Sequence, residues 1–436
     1  MVLFLCLKMK KLFDLFEECS IVCTDTRNIE KDALFICLKG ENFNGNDFAL
    51  KAIEAGAKHV ITDEEQYHNG INIHLVENGL IFLQKLANNH RNKFKIPVIG
   101  ITGSNGKTST KELLNVVLSK KYNTLATKGN LNNHIGVPLT LLQLTSQHEI
   151  AIIEMGANKP FDIQELCEIA EPKYGIITNI GKAHLEGFIN FEGVIKTKTE
   201  LYHSLLTKNG TIVVNAEDSV LTNKLPIGIK TLAYSSNGTG EVNGDLLKLT
   251  PYIQLKWSHD DYQSPVIETK MIGKYNFFNF LAAISFGTLF NVDNDKINEA
   301  ISEYSPNNNR SQIKETTTNT LILDCYNANP TSMLSAIESF SMIENDSKTA
   351  IIGDMLELGL ESELEHAKII EYLRELNIEY LTVGPIFLSI QNNKSVQKFK
   401  NTLELEEYLL NNPIKNKLIL LKGSRGIGLE KLEAVL

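Results

Sequence analysis

The chain has 436 residues, 43% of them hydrophobic and 22% charged, as in ordinary globular proteins. That length exceeds one compact core, so two or three domains are expected. A formal net charge of −9 argues against nucleic acid as the main partner, although a local basic site could still hold phosphates.

The opening apolar run, Met1 to Leu7, is far too short to span a bilayer. It has no basic segment before it and no Ala-x-Ala-like site after it, so no signal peptide is expected. Met9 is an alternative start, and residues 1–8 are set aside. No other segment is apolar enough for a membrane helix. Six scattered cysteines (Cys6, Cys19, Cys23, Cys37, Cys167, Cys325) form no Cys-x-x-Cys pair. They read as reduced, mostly buried thiols of a cytoplasmic protein, not as a zinc site or a disulfide framework.

A first unit extends to about Phe94. Apolar alternation in Ala33–Leu38 predicts a strand ended by Lys39-Gly40. A polar loop from Glu41 to Asp47 leads to a helix beginning near Phe48, stopped by Gly56, and His59–Thr62 is the next strand. In a second unit, strands are expected at Val98–Thr102, Ile150–Met155, Gly175–Ile180 and Thr211–Asn215, with helices at Phe161–Ile169 and Glu192–Leu206. Such alternation implies a parallel sheet covered on both faces. Between about Thr231 and Met271, Asn237-Gly238 and Asn243-Gly244 are hairpin signals, and Tyr252–Trp257 alternates at period two. A small antiparallel meander is expected there. From about Asn307, after a linker containing Asn307-Asn308-Asn309, strands at Leu321–Leu323, Ala350–Ile352, Tyr380–Val383 and Leu418–Leu421 imply a Rossmann-like sheet. Polar clusters end three of them: Asp324-Cys325-Tyr326-Asn327, Gly353-Asp354 and Lys422-Gly423-Ser424-Arg425. Ligands collect at such strand ends.

The most informative stretch follows the strand at Val98. Gly103-Ser104-Asn105-Gly106-Lys107-Thr108-Ser109 reads as a glycine-rich turn, with a helix expected to begin at Ser109. Its backbone N–H groups and the helix dipole would converge on one anionic spot. Lys107 adds a point charge, and the Thr108 hydroxyl can ligate magnesium. A nucleoside triphosphate is therefore the expected ligand. The common phosphate loop has a glycine five positions before the Gly of Gly-Lys-Thr, where this chain has Ile101. Gly103 lies only three before, so the loop is a shorter form, unlike that of ordinary nucleotide kinases or GTPases.

Further features add to it. Glu154 ends a predicted strand and suits a magnesium ligand or a helix cap equally well. His184 follows a strand end, where it could bind a metal or simply be hydrogen-bonded. Lys196 and Lys198 lie on one helix, and from composition alone they form a solvated face. The Asn276 and Asn279 amides at a helix start could read an adenine edge or cap the helix.

The short Thr-Gly-x-x-Gly-Lys-Thr loop resembles that of the Mur ligases and folylpolyglutamate synthetases, ATP-dependent enzymes that form amide bonds. The succession with Glu-Met-Gly-Ala (154–157), Thr-Asn-Ile-x-x-Ala-His-Leu-Glu (178–186), Lys-x-Glu (198–200) and Gly-x-x-Asn (273–276) resembles the Mur ligases in particular. Finer spellings are Asn132-Asn133-His134-Ile135-Gly136-Val137-Pro138, Ala183-His184-Leu185-Glu186-Gly187-Phe188, Tyr326-Asn327-Ala328-Asn329-Pro330, Gly353-Asp354-Met355-Leu356-Glu357-Leu358-Gly359 and Lys422-Gly423-Ser424-Arg425-Gly426. They resemble the member that joins D-alanyl-D-alanine to UDP-N-acetylmuramoyl-tripeptide in peptidoglycan precursor synthesis. The alternatives are sister Mur ligases adding a single amino acid, or a folylpolyglutamate synthetase.

The resemblance implies an α/β protein of three domains: a small UDP-sugar-binding domain (1–94), a central ATP-binding domain with a parallel and a small antiparallel sheet (95–308), and a Rossmann-like C-terminal domain (309–436). It implies that ATP phosphorylates a carboxylate and that an amine attacks the acyl phosphate. By resemblance, Gly103 to Ser109 cradle the ATP phosphates, with Lys107 at the β/γ-phosphates. Thr108 and Glu154 hold a first magnesium ion, and His184 and Lys198 hold a second, Lys198 as a carbamate (N6-carboxylysine). Lys196 is the competing lysine, and the spacing to Glu200 favours Lys198. Asn276 faces the adenine, Arg310 and Asp324 approach the ribose, and Tyr326 lies near the phosphates. Thr26 and Arg27 hold the uridine-diphosphate end, and Asn327 and Asn329 contact substrate. Asn44-Gly45-Asn46-Asp47-Phe48 departs from the commoner Asp-Gly-His-x-Phe, and Cys325 stands where a small residue such as Ser is common. Domain closure is expected to assemble the site. A monomer is expected, with no nucleic-acid partner and no membrane insertion.

Overall fold

The computed structural model describes residues 9–182, 185–188, 190–390 and 397–436. The chain divides into two compact units. One comprises Met1–Gly100, Tyr122–Gly156 and Asp162–Tyr174, and the other Ile101–Lys121, Ala157–Phe161 and Gly175–Leu436.

The first unit contains a four-stranded sheet of Val22–Cys23, Leu34–Ile36, His59–Thr62 and Ile73–Leu75, side by side in chain order and all parallel. The alternation expected at Ala33–Leu38 is not what is found. Ala33 to Cys37 are all buried, because an inner strand of a parallel sheet is covered on both faces. Gly56, at φ +108°, follows the end of helix Ala49–Glu54. Strand Thr124–Ala126 pairs in parallel with Ile150–Glu154, whose five residues are all buried. Helix Asp162–Ala170 follows.

In the second unit Thr211–Asn215 and Lys230–Ser235 pair in parallel, and Lys230–Ser235 pairs in parallel with Val242–Lys248. From there the sheet continues antiparallel through Gln254–His259 and Tyr262–Gln263. The antiparallel strands are thus an edge of the larger sheet, and both Asn-Gly hairpin expectations fail. Asn237-Gly238 belongs to a wide loop between parallel neighbours. There the Ser235 hydroxyl accepts N–H bonds from Thr239 (3.0 Å) and Gly240 (2.9 Å) and donates to Asn243 Oδ1 (2.6 Å). Gly244 lies inside a strand, where a Cβ would come within 2.4 Å of Leu281 Cδ2 on helix Tyr275–Leu289. Close packing, not a turn, requires that glycine. The hairpin turn falls at Asp260, with φ +49°.

A separate six-stranded sheet runs in the order Gln312–Glu315, Thr320–Asp324, Leu418–Lys422, Lys348–Gly353, Glu379–Val383, Lys398–Phe399. All neighbours are parallel except the first pair. The last strand in the chain is therefore inserted between the second and third, and all five of its residues are buried. This brings Asp324, Gly353 and Lys422 to one edge of the sheet, at the carboxyl ends of adjacent strands. The predicted α/β class and its strands are all found, with the edge strands Gln312–Glu315 (antiparallel) and Lys398–Phe399 (parallel) in addition.

Candidate active site

Strand Val98–Thr102 runs directly into the glycine-rich loop. Gly103 adopts φ +144°, and a Cβ there would lie 2.0 Å from Thr178 Oγ1. Gly106 adopts φ +79° and forms the left-handed cap of helix Lys107–Leu118. That helix begins two residues earlier than expected. Gly106 makes the turn by itself, so the backbones of Lys107 and Thr108 are already helical. Their N–H groups belong to the first helical turn, which has no intrahelical acceptors for them.

The loop is held against the segment after strand Tyr174–Ile177. Ser104 N–H donates to the Asn179 carbonyl (3.0 Å) and Asn105 N–H to Asn179 Oδ1 (3.1 Å). The Asn105 carbonyl accepts from Thr178 Oγ1 (2.5 Å) and Asn179 Nδ2 (2.9 Å). Ser104 Oγ donates to the Gly181 carbonyl (3.0 Å) and accepts the Gly181 N–H (2.9 Å). Thr178 and Asn179 therefore template the loop, a role that sequence reasoning missed. They were legible only as the opening of the 178–186 motif, a polar pair ending an apolar strand, with nothing to say that they hold the loop. Lys107 Nζ lies across the loop, donating to the carbonyls of Gly103 (2.7 Å) and Ser104 (3.2 Å). Thr108 and Ser109 are buried beside it.

Asn276 is completely buried and its amide is engaged internally. Its Nδ2 donates to the Ile272 carbonyl (2.7 Å) and Ser311 Oγ (3.2 Å), and its Oδ1 accepts from Asn279 Nδ2 (2.8 Å). Asn279 Oδ1 in turn accepts from Thr110 Oγ1 (3.1 Å) and lies 2.8 Å from where a Gly106 Cβ would stand. This asparagine pair thus buttresses the helix that follows the loop.

Residues of the C-terminal sheet reach the same loop. Asn329 Nδ2 donates to Asn105 Oδ1 (2.7 Å) while Asn329 caps helix Pro330–Ser341 through a reciprocal capping box with Ser332. Asn329 therefore has a positioning job besides the expected substrate contact. A neutral hydrogen bond of this kind is worth about 1 kcal/mol, so Asn105→Ala should lower kcat/KM for ATP about three- to tenfold. Steady-state kinetics checks this, and unchanged kinetics would remove the bridge from the account.

Near it, Lys422 Nζ pairs with Asp324 Oδ2 (2.9 Å) and donates to the Asn327 carbonyl (2.9 Å). The Asn327 side chain is exposed and accepts the Ala328 N–H. Tyr326 carries the Arg310 guanidinium 3.9 Å from its ring centroid, and the buried Arg310 Nε has no hydrogen-bond partner. Cys325 is a packed thiol, pushed up to about 12 by burial.

The helix Phe191–Thr207 separates the two candidate lysines. Lys196 is exposed, whereas Lys198 is 2% exposed with Nζ 5.7 Å from the Phe188 ring centroid. Burial disfavours a charged amine, the condition that carbamate formation needs. Glu200 accepts the Phe161 N–H (2.9 Å). His184 lies outside the described residues.

In the other unit, Glu154 is 2% exposed at its strand end. Its Oε1 accepts from Asn132 Nδ2 (2.8 Å), while Oε2 is buried without a hydrogen-bond partner. A buried carboxylate with an orphaned oxygen fits a hard cation such as magnesium. Among the described residues no cluster of three or more His, Cys, Asp or Glu side chains is placed to hold a metal. The expected set also draws on a threonine, a modified lysine and His184.

In the same unit, Asp25 caps the turn Thr26–Asn28 and pairs with Arg27 at 2.6 Å, which holds the carboxyl at about 2. Arg27 itself is exposed. In the Asn44–Phe48 segment, Asn46 is fully buried. It donates to Asn44 Oδ1 (2.9 Å) and Asp63 Oδ1 (2.8 Å) and accepts from Thr62 Oγ1 (2.7 Å). The amide is therefore part of the domain's interior framework. Gly45 has no room for a Cβ, which would approach the Leu38 carbonyl oxygen to 2.6 Å.

Three family models match almost end to end: "Mur ligase family, catalytic domain" over residues 18–100, "Mur ligase middle domain" over 101–287 and "Mur ligase, glutamate ligase domain" over 309–425. The UDP-N-acetylmuramoyl-tripeptide–D-alanyl-D-alanine ligase of Bacillus subtilis is 33% identical, over 94% of this chain and 92% of its own. That of Buchnera aphidicola subsp. Baizongia pistaciae is 35% identical, over 95% and 91%. Among solved structures, MurF from Acinetobacter baumannii superposes with a TM-score of 0.87 at 28% identity, covering 98% of this chain and 97% of that one. MurF ligase from Thermotoga maritima in complex with ADP gives 0.86 at 27%, covering 97% of each. A folylpolyglutamate synthase from Thermotoga maritima shares the fold at 13% identity and a TM-score of 0.59.

Proposed function

The chain belongs to the Mur ligase family, and we propose that it joins D-alanyl-D-alanine to the terminal carboxylate of UDP-N-acetylmuramoyl-tripeptide at the expense of ATP. The observation that carries this reading is near-full-length identity above 30% with relatives named for that reaction, joined to an intact short phosphate loop. One single-amino-acid ligase, the UDP-N-acetylmuramoyl-L-alanyl-D-glutamate–2,6-diaminopimelate ligase, and a folylpolyglutamate synthase from Thermotoga maritima share the fold at 14% and 13% identity.

A carboxylate is a poor electrophile, so the tripeptide oxygen first attacks the γ-phosphorus and ADP leaves. The dipeptide amine then attacks the acyl carbon, inorganic phosphate departs and the amine loses a proton. Charge accumulates on the transferring phosphoryl group and the oxygens in line with it, and fixed positive groups must meet it. The loop N–H groups from Gly106 to Ser109 and the Lys107 ammonium do so, in a loop held in place by Thr178, Asn179 and Asn279. Magnesium, when bound, neutralises phosphate charge and polarises the transferring group. Thr108 and Glu154 are the residues to hold one ion, and His184 and a carbamylated Lys198 the other. Arg310, Asp324 and Tyr326 serve the nucleoside side, with Asn276, buried and bonded internally, supporting that side from behind; Thr26 and Arg27 serve the uridine-diphosphate end, and Asn327 and Asn329 the substrate.

On this reading residues 1–94, 95–308 and 309–436 bind the UDP-sugar, bind ATP and complete the ligase, acting as a monomer in the cytoplasm. No helix among the described residues is long and apolar enough to cross a membrane. The test is phosphate release from ATP in the presence of UDP-N-acetylmuramoyl-tripeptide, with D-Ala-D-Ala, D-Ala or L-glutamate as acceptor. Release with the dipeptide alone is expected, and release with a single amino acid but not the dipeptide overturns the specificity.

A further inference from the structure

The chain leaves the inserted strand Leu418–Lys422 through Gly423-Ser424 into the short turn Arg425–Ile427. This is the carboxyl end of the sheet, where ligands gather. The turn is braced from below. Ser424 N–H donates to the Asp354 carbonyl (3.1 Å), and Leu356 N–H donates to Ser424 Oγ (3.0 Å). The Asp354 side chain is completely buried and accepts the N–H groups of Ile386 (2.8 Å) and Phe387 (2.9 Å). Arg425 therefore stands on a rigid ledge, while its own side chain is exposed.

Its guanidinium lies 5.2 Å from the Tyr326 ring centroid, with Nη1 3.4 Å from the phenol oxygen. Arg310 occupies the same ring at 3.9 Å. The neighbouring Lys422 is neutralised by Asp324, but no carboxylate among the described residues pairs with either arginine. One aromatic plate thus carries two uncompensated guanidiniums. ATP accounts for one of them, through Arg310. An anion of the proposed reaction that none of the residues assigned above serves is the carboxylate at the far end of the acceptor. Leu356, 43% exposed and next to Gly426, offers an apolar surface for a methyl group.

We propose that Arg425 binds the terminal carboxylate of the incoming dipeptide and so sets the length of acceptor that the site takes. This rests on the ligase reading above. One residue of chain spans about 3.3–3.6 Å. A carboxylate held at a fixed arginine therefore places a dipeptide amine and a single amino acid's amine that far apart.

The test compares D-Ala-D-Ala with its C-terminal amide in the wild type, Arg425→Ala and Arg425→Lys, with the KM for ATP measured in parallel. The wild type should prefer the acid by about ten- to hundredfold in kcat/KM. Arg425→Ala should lose that preference through a raised KM for the acid, with the KM for ATP unchanged, and Arg425→Lys should keep part of it. An Arg425→Ala enzyme that still prefers the acid overturns the proposal alone, as does a parallel rise in both KM values, which marks a structural role. A wild-type enzyme that turns over no D-Ala-D-Ala overturns the ligase reading and this proposal with it.

Discussion

Lys198→Ala should abolish turnover, a loss of about a thousandfold, and short carboxylic acids such as acetate or propionate should restore part of it. The expectation follows from burial. Lys198 is 2% exposed and packs near Phe188, whereas Lys196, two residues earlier on the same helix, faces solvent. A neutral amine can take up carbon dioxide, exchanging a cation for an anion able to face magnesium. Losing one fixed electrostatic group at a phosphoryl-transfer site costs on the order of 10²–10³ in rate, and the loss of a metal ligand belongs at the upper end. Truncation to alanine opens space beside Phe188, into which a small carboxylate can diffuse and supply the missing charge. Lys196→Ala is the control and should retain wild-type activity. Full activity of Lys198→Ala without any additive rules out the carbamate.

Gly103→Ala is expected to have the next largest effect. At φ +144° the backbone is in a region that L-residues rarely adopt, at a cost of about 1–3 kcal/mol. The added Cβ would also stand 2.0 Å from Thr178 Oγ1 and 3.0 Å from the Thr178 nitrogen. Thr178 cannot give way freely, because its hydroxyl holds the Asn105 carbonyl at 2.5 Å. The loop must therefore move, and a displacement of about 1 Å in a phosphate-positioning element costs about a hundredfold in rate. ATP affinity by calorimetry and kcat/KM should both fall to that extent, while the circular-dichroism spectrum stays native. Gly228→Ala separates strain from collision. Gly228 has φ +83° but nothing within 4 Å of an added Cβ, so its activity should be unchanged. Equal ATP affinity in Gly103→Ala and wild type contradicts the loop geometry described here.

Much of the architecture was legible because parallel sheets write themselves into sequence as short continuous apolar runs. Val98–Thr102 and Thr211–Asn215 are found with the bounds predicted, and the four strands predicted in the C-terminal sheet each proved longer by one to three residues. The failures have different causes, one a distant partner overruling a local signal and one a single residue moving a boundary. Asn243-Gly244 carries the dipeptide of a tight hairpin, yet its glycine answers to Leu281 on a helix. The helix after the loop begins at Lys107 because Gly106 alone completes the turn.

At the site, the loop and its lysine were legible from spacing, since phosphate binding constrains consecutive residues. The groups that fix the loop were not. Thr178, Asn179, Asn279 and Asn329 lie about 70 to 220 residues away and meet it only in three dimensions. The choice between Lys196 and Lys198 shows the same limit. Composition treats them alike, and helix phase together with packing separates them.

The central claim is that this ligase adds a dipeptide as one unit. Its most direct test is the mass of the UDP-linked product formed from UDP-N-acetylmuramoyl-tripeptide, ATP and magnesium with equal concentrations of D-Ala and D-Ala-D-Ala. The account predicts a single product heavier by one D-Ala-D-Ala less one water. A product heavier by one alanine residue, or an unchanged substrate with ATP intact, contradicts it.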